Sequence, residues 1–323
     1  MLASKVAGRG ALAVHVYISE GRDRALVSRL SAAGAAAGAA VANEFLDAAY
    51  HRAGVTFASS DAGRLEAAVA AACQEALNAL DLRGHRASHP RVGVVDHVAC
   101  NPLGVATREE AGRLAVRVGR FLGRGESGVR PAVPVYFYGA AREDGRPLAA
   151  LRRSLGYFGG ASRGEWSGLS EEMAAAMRAL APDVGPQEVD PRHGAAVVGA
   201  VPWVTNYNLL LTSVGLDQAE LMSRCRRIAR LTSARGGGLQ AVETMALPHE
   251  MGVEVACNLL DTAATPAPHV RSRVVELAEA EGLNLESDYF TNKQPEEILA
   301  FVQDEELAAE GNIARENKKQ KCT

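Results

Sequence analysis

The feature that most narrows the fold of this chain is an alternation of two hydrophobic patterns along its length. Short runs rich in β-branched and aromatic residues, each bounded by Gly or Pro, alternate with longer runs whose apolar residues recur every three or four positions. The first pattern belongs to strands and the second to amphipathic helices, and such elements bury their apolar faces by packing in layers. The expected class is α/β (α+β). Strands are predicted at 12–18, 40–46, 92–99, 133–138, 195–201, 203–211, 239–246 and 252–260. Helices are predicted at 62–80, 107–121, 170–181, 217–234, 267–281 and 295–310, where good helix formers dominate.

Between Pro182 and Gly194 the stretch PDVGPQEVDPRHG holds three prolines and two glycines, a composition suited to a connection rather than an element interior. It divides the 323 residues into units at 12–188 and 189–310, with a polar, basic tail at 311–323 expected to fray. Each unit has its own strands and helices. No repeat of 20 to 50 residues is visible.

Composition serves mainly to exclude. Thirty-five Lys and Arg against 38 Asp and Glu leave a formal charge of −3, too small an imbalance for the basic field that phosphate-backbone binding needs, so no nucleic-acid partner is expected. The alanine-rich stretches 32–42 and 67–72 are too short to span a bilayer, so no membrane partner is expected either. Cysteines at 73, 100, 225, 257 and 322 form an odd set without C-x-x-C spacing, which supports neither a disulfide framework nor a structural zinc site. A reducing, cytoplasmic location follows, with organellar import left open by Lys5 and Arg9. The stretch Ala11 to Ile18 reads as a first core strand rather than a signal sequence.

Several motif matches fail on context. Gly123, Gly125 and Gly128 fit G-x-G-x-x-G, but a helix precedes them and a strand follows, the reverse of a dinucleotide site. His249-Glu250 opens H-E-x-x-H, yet Val253 stands where the second ligand must be, so no metal is expected. Gly236 to Gly238 read as a flexible turn, and the basic run Arg224 to Arg235 as the solvated face of a helix or, alternatively, a dock for an acidic partner.

The densest group of unusual residues is Gly84 to Gly104, which puts His85, His89, Arg91, Asp96 and His97 on a loop and the strand after it. Pro90 biases His89 away from helical conformation and holds it at a loop–strand junction, a frequent place for reacting side chains. His85 is read as loop and His97 as a strand histidine without a chemical role. Within this group Ser88 to Asp96 (SHPRVGVVD) resembles the H-P-R-x-G-x-x-D signature of glutamate formiminotransferases. Collinear landmarks extend the resemblance over residues 14 to 290: Ser19-Glu20-Gly21, Asp47-Ala48 with Arg52, PVYFYG at 134–139, Pro182-Asp183 with Gly185-Pro186, GAAVVGAVPWVTNYN at 194–208, and NLLD at 258–261. Formiminotransferase-like proteins of plants are the most similar branch.

The resemblance implies two subdomains, each a mixed β-sheet with helices packed on it, a substrate cleft between them, and a homodimer. It implies transfer of a formimino one-carbon group from formiminoglutamate to tetrahydrofolate as co-substrate, a step of histidine degradation. The catalytic histidine of the signature falls on His89. The folate segment falls on 199–208, where Gly199, Ala200 and Asn208 match the usual pattern and Trp203, Val204 and Tyr207 are conservative replacements.

Amidine transfer needs a group that takes a proton from the nucleophile and returns one to the departing amine, which a single imidazole can do. Both substrates carry carboxylates, for which Arg52 and Arg91 are the candidates; either can equally be a salt-bridge residue. Asp47 can orient His89, bind the amidine cation or cap a turn. Trp203 and Tyr207 can line a pteridine slot or lie in the core. The chain departs from the family in having Tyr17 before Ser19-Glu20-Gly21 where an asparagine is usual, Val201-Pro202 for a basic pair, a shorter segment after Asp47, and TNKQ at 291–294 for Gly-Leu-Val-Pro. These departures open a second reading, a folate-binding or regulatory relative without turnover.

Overall fold

Helix starts are set by side chains that satisfy the free N–H groups of a first turn. Asp23 accepts from Leu26 N ahead of α1 (Arg24–Ala36), and Asp61 accepts from Gly63 and Arg64 ahead of α2 (Ala62–Ala79). Thr107 and Glu110 form a reciprocal capping box at α3 (Arg108–Arg124), which ends where Gly125 adopts φ 67°. Gly125, the middle glycine of the failed dinucleotide motif, is thus a helix stop. The remaining helices are α4 (Leu148–Ser154), α5 (Glu171–Ala179), α6 (Gln218–Thr232), α7 (Ala267–Ala280) and α8 (Pro295–Gln320). This computed structural model describes residues 10–157 and 165–320. Lys5, Arg9, Cys322 and the last three residues of the expected tail lie outside them.

The strands are β1 (Gly10–Ile18), β2 (Ala40–Asp47), β3 (Arg52–Ser59), β4 (Arg86–Ala87), β5 (Val95–Gly104), β6 (Val135–Gly139), β7 (Trp166–Ser167), β8 (Ala196–Ala200), β9 (Thr205–Thr212), β10 (Val242–His249), β11 (Gly252–Leu259) and β12 (Asn284–Phe290). A six-stranded mixed sheet has the order β2-β3-β1-β5-β8-β6, antiparallel from β2 to β5 and parallel from β5 to β6. A four-stranded antiparallel sheet has the order β10-β11-β9-β12, and β4 pairs with β7. The α/β expectation therefore holds.

Alternation along each strand gives the larger sheet two different faces. Val14, Val16, Val55, Phe57, Val98 and Cys100 point into a core with residues of α1, α2 and α3. On the opposite face Ala11, Ala13 and Leu103 lie under Ile298, Leu299 and Val302 of α8, while Tyr136 and Tyr138 pack with residues of α4 and α5. Between these two apolar covers the same face carries His15, Tyr17, His97 and Asn101. The smaller sheet approaches there: Tyr17 OH donates to Asn206 Oδ1 at 3.3 Å, from β1 to β9.

Several elements differ from the sequence expectation. The chain crosses to the second sheet after Ala200, since β8 sits between β5 and β6 as an interior strand. Strand β3 is buried along nearly its whole length and contains Ala53, Gly54 and Ala58, so it shows no alternation. Helices α1 and α4 were not expected: α1 is alanine-rich with little apolar contrast, and α4 has only seven residues. Strand β12 (NLESDYF) is a largely polar edge strand. Two strands start three residues later than expected, at Val95 and Val242. Helix α8 continues to Gln320, through most of the segment expected to fray. The basic run on α6 is engaged locally, with Arg224 paired to Glu220 and Arg227 to Glu281.

Gly199 is required by packing rather than by a turn. A Cβ there would lie 2.3 Å from the ring of Tyr138, a fully buried side chain with no room to yield. Gly199→Ala is expected to cost about 1–3 kcal/mol by overpacking. A urea denaturation midpoint equal to that of the unsubstituted protein would show that the ring moves aside.

Candidate active site

His89 follows the short strand β4 and precedes β5, in a bend before Pro90 that brings the half-buried ring to Arg52 of β3. Its Nδ1 lies 2.7 Å from the Pro90 carbonyl, which can only accept, so Nδ1 carries the proton and Nε2 the lone pair. Arg52 Nη1, from the first residue of β3, lies 3.1 Å from Nδ1 and 3.3 Å from Nε2, and with Nδ1 carrying the proton only Nε2 can accept from it. Burial and the Arg52 charge both hold the imidazole well below its ordinary pKa. At neutral pH it is an uncharged base.

Arg52 is the hub of this site. Its Nη2 lies 3.1 Å from Asp96 Oδ2, its Nη1 donates to Tyr157 OH at 3.3 Å, and its guanidinium carbon sits 4.6 Å from the centre of the Tyr17 ring. Burial alone would lower its pKa, but Asp96, Tyr157 and Tyr17 together outweigh this and raise it. Asp96 is in turn fixed by Val92 N, which donates to Oδ1 at 2.7 Å. Arg91, 3% exposed, donates to the His89 carbonyl and to His85 Nδ1. Burial pushes its pKa down to about 10, so it remains charged. His85 passes the constraint on, since its Nε2 donates to His51 O at 3.1 Å. Both arginines of the sequence reading thus meet His89, and both are already held by protein groups. His85, read as plain loop, is a buried brace.

Asp47 ends β2 and accepts from Tyr50 N at 2.7 Å, the turn-capping alternative. Its carboxyl is raised by burial and by the nearby Glu254 charge, with the Tyr50 N–H opposing. Its link to His89 runs through Tyr50, whose ring centre is 5.6 Å from the imidazole. Tyr50 OH donates to Glu254 Oε2 on β11, which also accepts from Asn208 Nδ2 at 2.8 Å, while Oε1 accepts from Tyr289 OH at 2.7 Å. Glu254, 1% exposed, was missed by sequence reasoning because an isolated Glu in a strand carries no motif. It ties the second sheet to the His89 region.

The remaining predicted residues divide by face. Asn208 and Asn206 point toward the first sheet, whereas Tyr207 lies between them on the opposite face, in the core under α6 and α7, with its OH donating to Asp288 at 2.7 Å. Gly199 and Ala200 are buried in β8. Trp203 packs its ring 4.7 Å from that of His15, and its Nε1 is buried without a hydrogen bond. Val204 is half-buried in the same loop, and its carbonyl accepts from Asn292 Nδ2 at 2.8 Å. Asn292 belongs to TNKQ, so that departure from the family pattern anchors this loop. Rings then run from Trp203 through His15 and Tyr17 to His97, whose Nε2 pairs with Tyr138 OH at 2.8 Å. His97 is therefore part of the site's wall rather than an incidental strand residue.

Burial lowers the pKa of His15 to about 4, and burial with neighbouring arginine charge takes His89 and His97 well below 6.5. The unfolded chain then binds more protons between about pH 4 and 6.5, so stability present above pH 6.5 is lost as the pH falls through that window. Asp47, raised, acts in the opposite sense nearer its own titration. Unfolding free energy is expected to fall by roughly 4–6 kcal/mol between pH 7.5 and 5. Urea titrations at both pH values measure this, and greater stability at pH 5 would mean that these histidines are charged in the fold.

Comparison with known proteins gives the family. A family model described as "Formiminotransferase domain, N-terminal subdomain" matches residues 11–201, which end just past β8. A "Formiminotransferase cyclodeaminase-like protein" of Arabidopsis thaliana is 40% identical over 301 residues, 90% of this chain and 95% of that protein. A "Glutamate formimidoyltransferase" of Thermoplasma acidophilum is 30% identical over 255 residues, 77% of this chain and 76% of that protein. A "Formimidoyltransferase-cyclodeaminase" of Sus scrofa is 33% identical over 198 residues, 60% of this chain but only 33% of that protein. The chain belongs to the formiminotransferase family.

Proposed function

We propose that this protein moves a formimino group from formiminoglutamate to tetrahydrofolate, both held in a cleft between its two sheets. The observation that carries the reading is His89: neutral, with its Nδ1–H on a backbone carbonyl, so that Nε2 carries the lone pair, and with Arg52 beside the ring. Nε2 takes the proton released as the folate ring nitrogen attacks the amidine carbon. The same proton then passes to the departing amine as the tetrahedral adduct collapses to glutamate and the formimino-folate. Arg91 and Arg52 hold the imidazole for both transfers, one through its carbonyl and the other through its ring. Asp47 acts from farther out, by fixing the turn that presents Tyr50 to the imidazole.

The residues of the folate segment fit a pteridine edge. Asn101 donates to the carbonyls of Val201 and Pro202 while its buried Oδ1 has no partner, and Trp203 Nε1 is likewise unpaired. One acceptor and one donor are thus left open beside Gly199 and Ala200, with Val204 in the adjoining loop. Asn208 contributes from the second sheet, and Tyr207 from behind, by fixing β9. The two units at 12–188 and 189–310 then correspond to one sheet each, apart from β8, and a cytoplasmic homodimer belongs to the same proposal.

One observation favours the second reading, a folate-binding relative without turnover. Tyr17 stands where the family has an asparagine, and its ring lies flat on His97 at 5.5 Å, beneath Arg52. Titration calorimetry with tetrahydrofolate and 5-formyltetrahydrofolate, followed by a formimino-transfer assay on the same preparation, separates the two. Binding with turnover supports the transferase, binding alone supports the relative, and neither overturns both.

A further inference from the structure

The arginines that the signature offers for substrate carboxylates are already committed. Arg52 is ion-paired with Asp96, and Arg91 is spent on the His89 carbonyl and His85. Elsewhere the partly buried arginines follow the same rule: Arg142 and Arg146 share Asp183, and Arg224 holds Glu220. A ligand with two or more carboxylates needs a cation that the fold has not neutralised.

Arg152, on α4, is such a cation. Among the described residues it forms no ion pair, and the segment 158–164 (FGGASRG) that follows contains no acid. Its guanidinium carbon lies 4.5 Å from the centre of the Tyr157 ring, a stack that engages the face of the group rather than its N–H edge. Its Nε is buried without a hydrogen bond. A desolvated donor left unpaired costs free energy that a bound acceptor would recover. Tyr157 also contacts the His89 ring, with centres 6.3 Å apart, and accepts from Arg52, so Arg152 stands one ring away from the imidazole.

We infer that Arg152 receives a carboxylate of the glutamyl substrate, placing the amidine end of that substrate at His89. The inference rests on the formimino-transfer reading for the identity of the ligand, but the anion site can be tested without it. It also links binding to chemistry. The Arg152 charge helps to depress both imidazoles, after burial for His97 and after burial and Arg52 for His89. A carboxylate seated on the guanidinium cancels that charge, so the substrate makes the His89 imidazole a stronger base as it binds.

The test is titration calorimetry of the full chain with glutarate, a dicarboxylate without the reacting group, on the unsubstituted protein, Arg152→Gln, Arg152→Lys and Arg153→Gln. Arg153 is exposed on the same helix and serves as control. Glutarate is expected to bind the unsubstituted protein and Arg153→Gln alike, to bind Arg152→Gln about tenfold more weakly or worse, and Arg152→Lys in between. Circular dichroism melts confirm that each variant is folded. No glutarate binding to the unsubstituted protein, or less than threefold weakening in folded Arg152→Gln, overturns the inference. Formimino transfer is assayed in parallel. Arg152-dependent glutarate binding without transfer leaves the anion site standing and removes the transferase reading; transfer with the same KM in Arg152→Gln does the reverse.

Discussion

Replacing His89 by alanine is expected to lower formimino transfer by about 10²–10⁴-fold, the range that one positioned acid–base group supplies. Folate affinity should stay within a few-fold, because the residues assigned to the pteridine lie on β8, the loop after it and β9 rather than at the imidazole. Steady-state kinetics and calorimetry on the same preparation measure both quantities. His89→Gln keeps a hydrogen-bonding side chain but has no group that titrates, so it should be as inactive as alanine. Retained turnover in either variant would reassign the proton transfer. The pH profile should show one limb: activity lost on acidification, as the depressed imidazole becomes protonated, with no loss up to pH 8 from this group.

Replacing Arg52 by methionine is expected to destabilise the fold by about 3–5 kcal/mol, the cost of leaving a buried charge without its partner. Asp96 is 1% exposed and Arg52 12% exposed at the side chain, so water cannot take over the role of either. The guanidinium also covers Tyr17 and donates to Tyr157 and His89, and methionine replaces only the first of these contacts. Arg52→Met combined with Asp96→Asn should recover part of the loss, since the second change removes the unpaired charge. Equal urea midpoints for Arg52→Met and the unsubstituted protein would show that the pair contributes nothing. The folded fraction of Arg52→Met should also show a higher His89 pKa by nuclear magnetic resonance titration, because a positive neighbour has gone.

Parts of the site were readable because they are local. Ser88 to Asp96 is one uninterrupted stretch in which Pro90 sets the approach of His89, and Val92 N and Asp96 meet four residues apart. Other landmarks were visible as motifs while their roles were hidden. Gly21 of Ser19-Glu20-Gly21 admits the backbones of Asp47 and Arg52, to which a Cβ would come within 2.1 and 2.4 Å. Asp183 of the Pro182-Asp183 motif accepts from Phe137 N and pairs with Arg146. Both motifs are struts.

Strand and helix placement was set by features that act over a few residues: the caps Asp23, Asp61 and Thr107, the Gly125 stop, and the period of apolar side chains. The sequence by itself determined that helices pack on sheets, that His89 stands at a loop–strand junction, and which family this chain joins. Tertiary structure alone decided that Arg52 and Arg91 are internal partners, that Glu254 and Tyr50 join the two sheets, and that Arg152 has a buried Nε without a hydrogen bond and no ion pair among the described residues. The reason is physical: period and capping are written in neighbouring residues, whereas the state of a buried charge depends on which distant side chains the topology sets within a few ångströms of it.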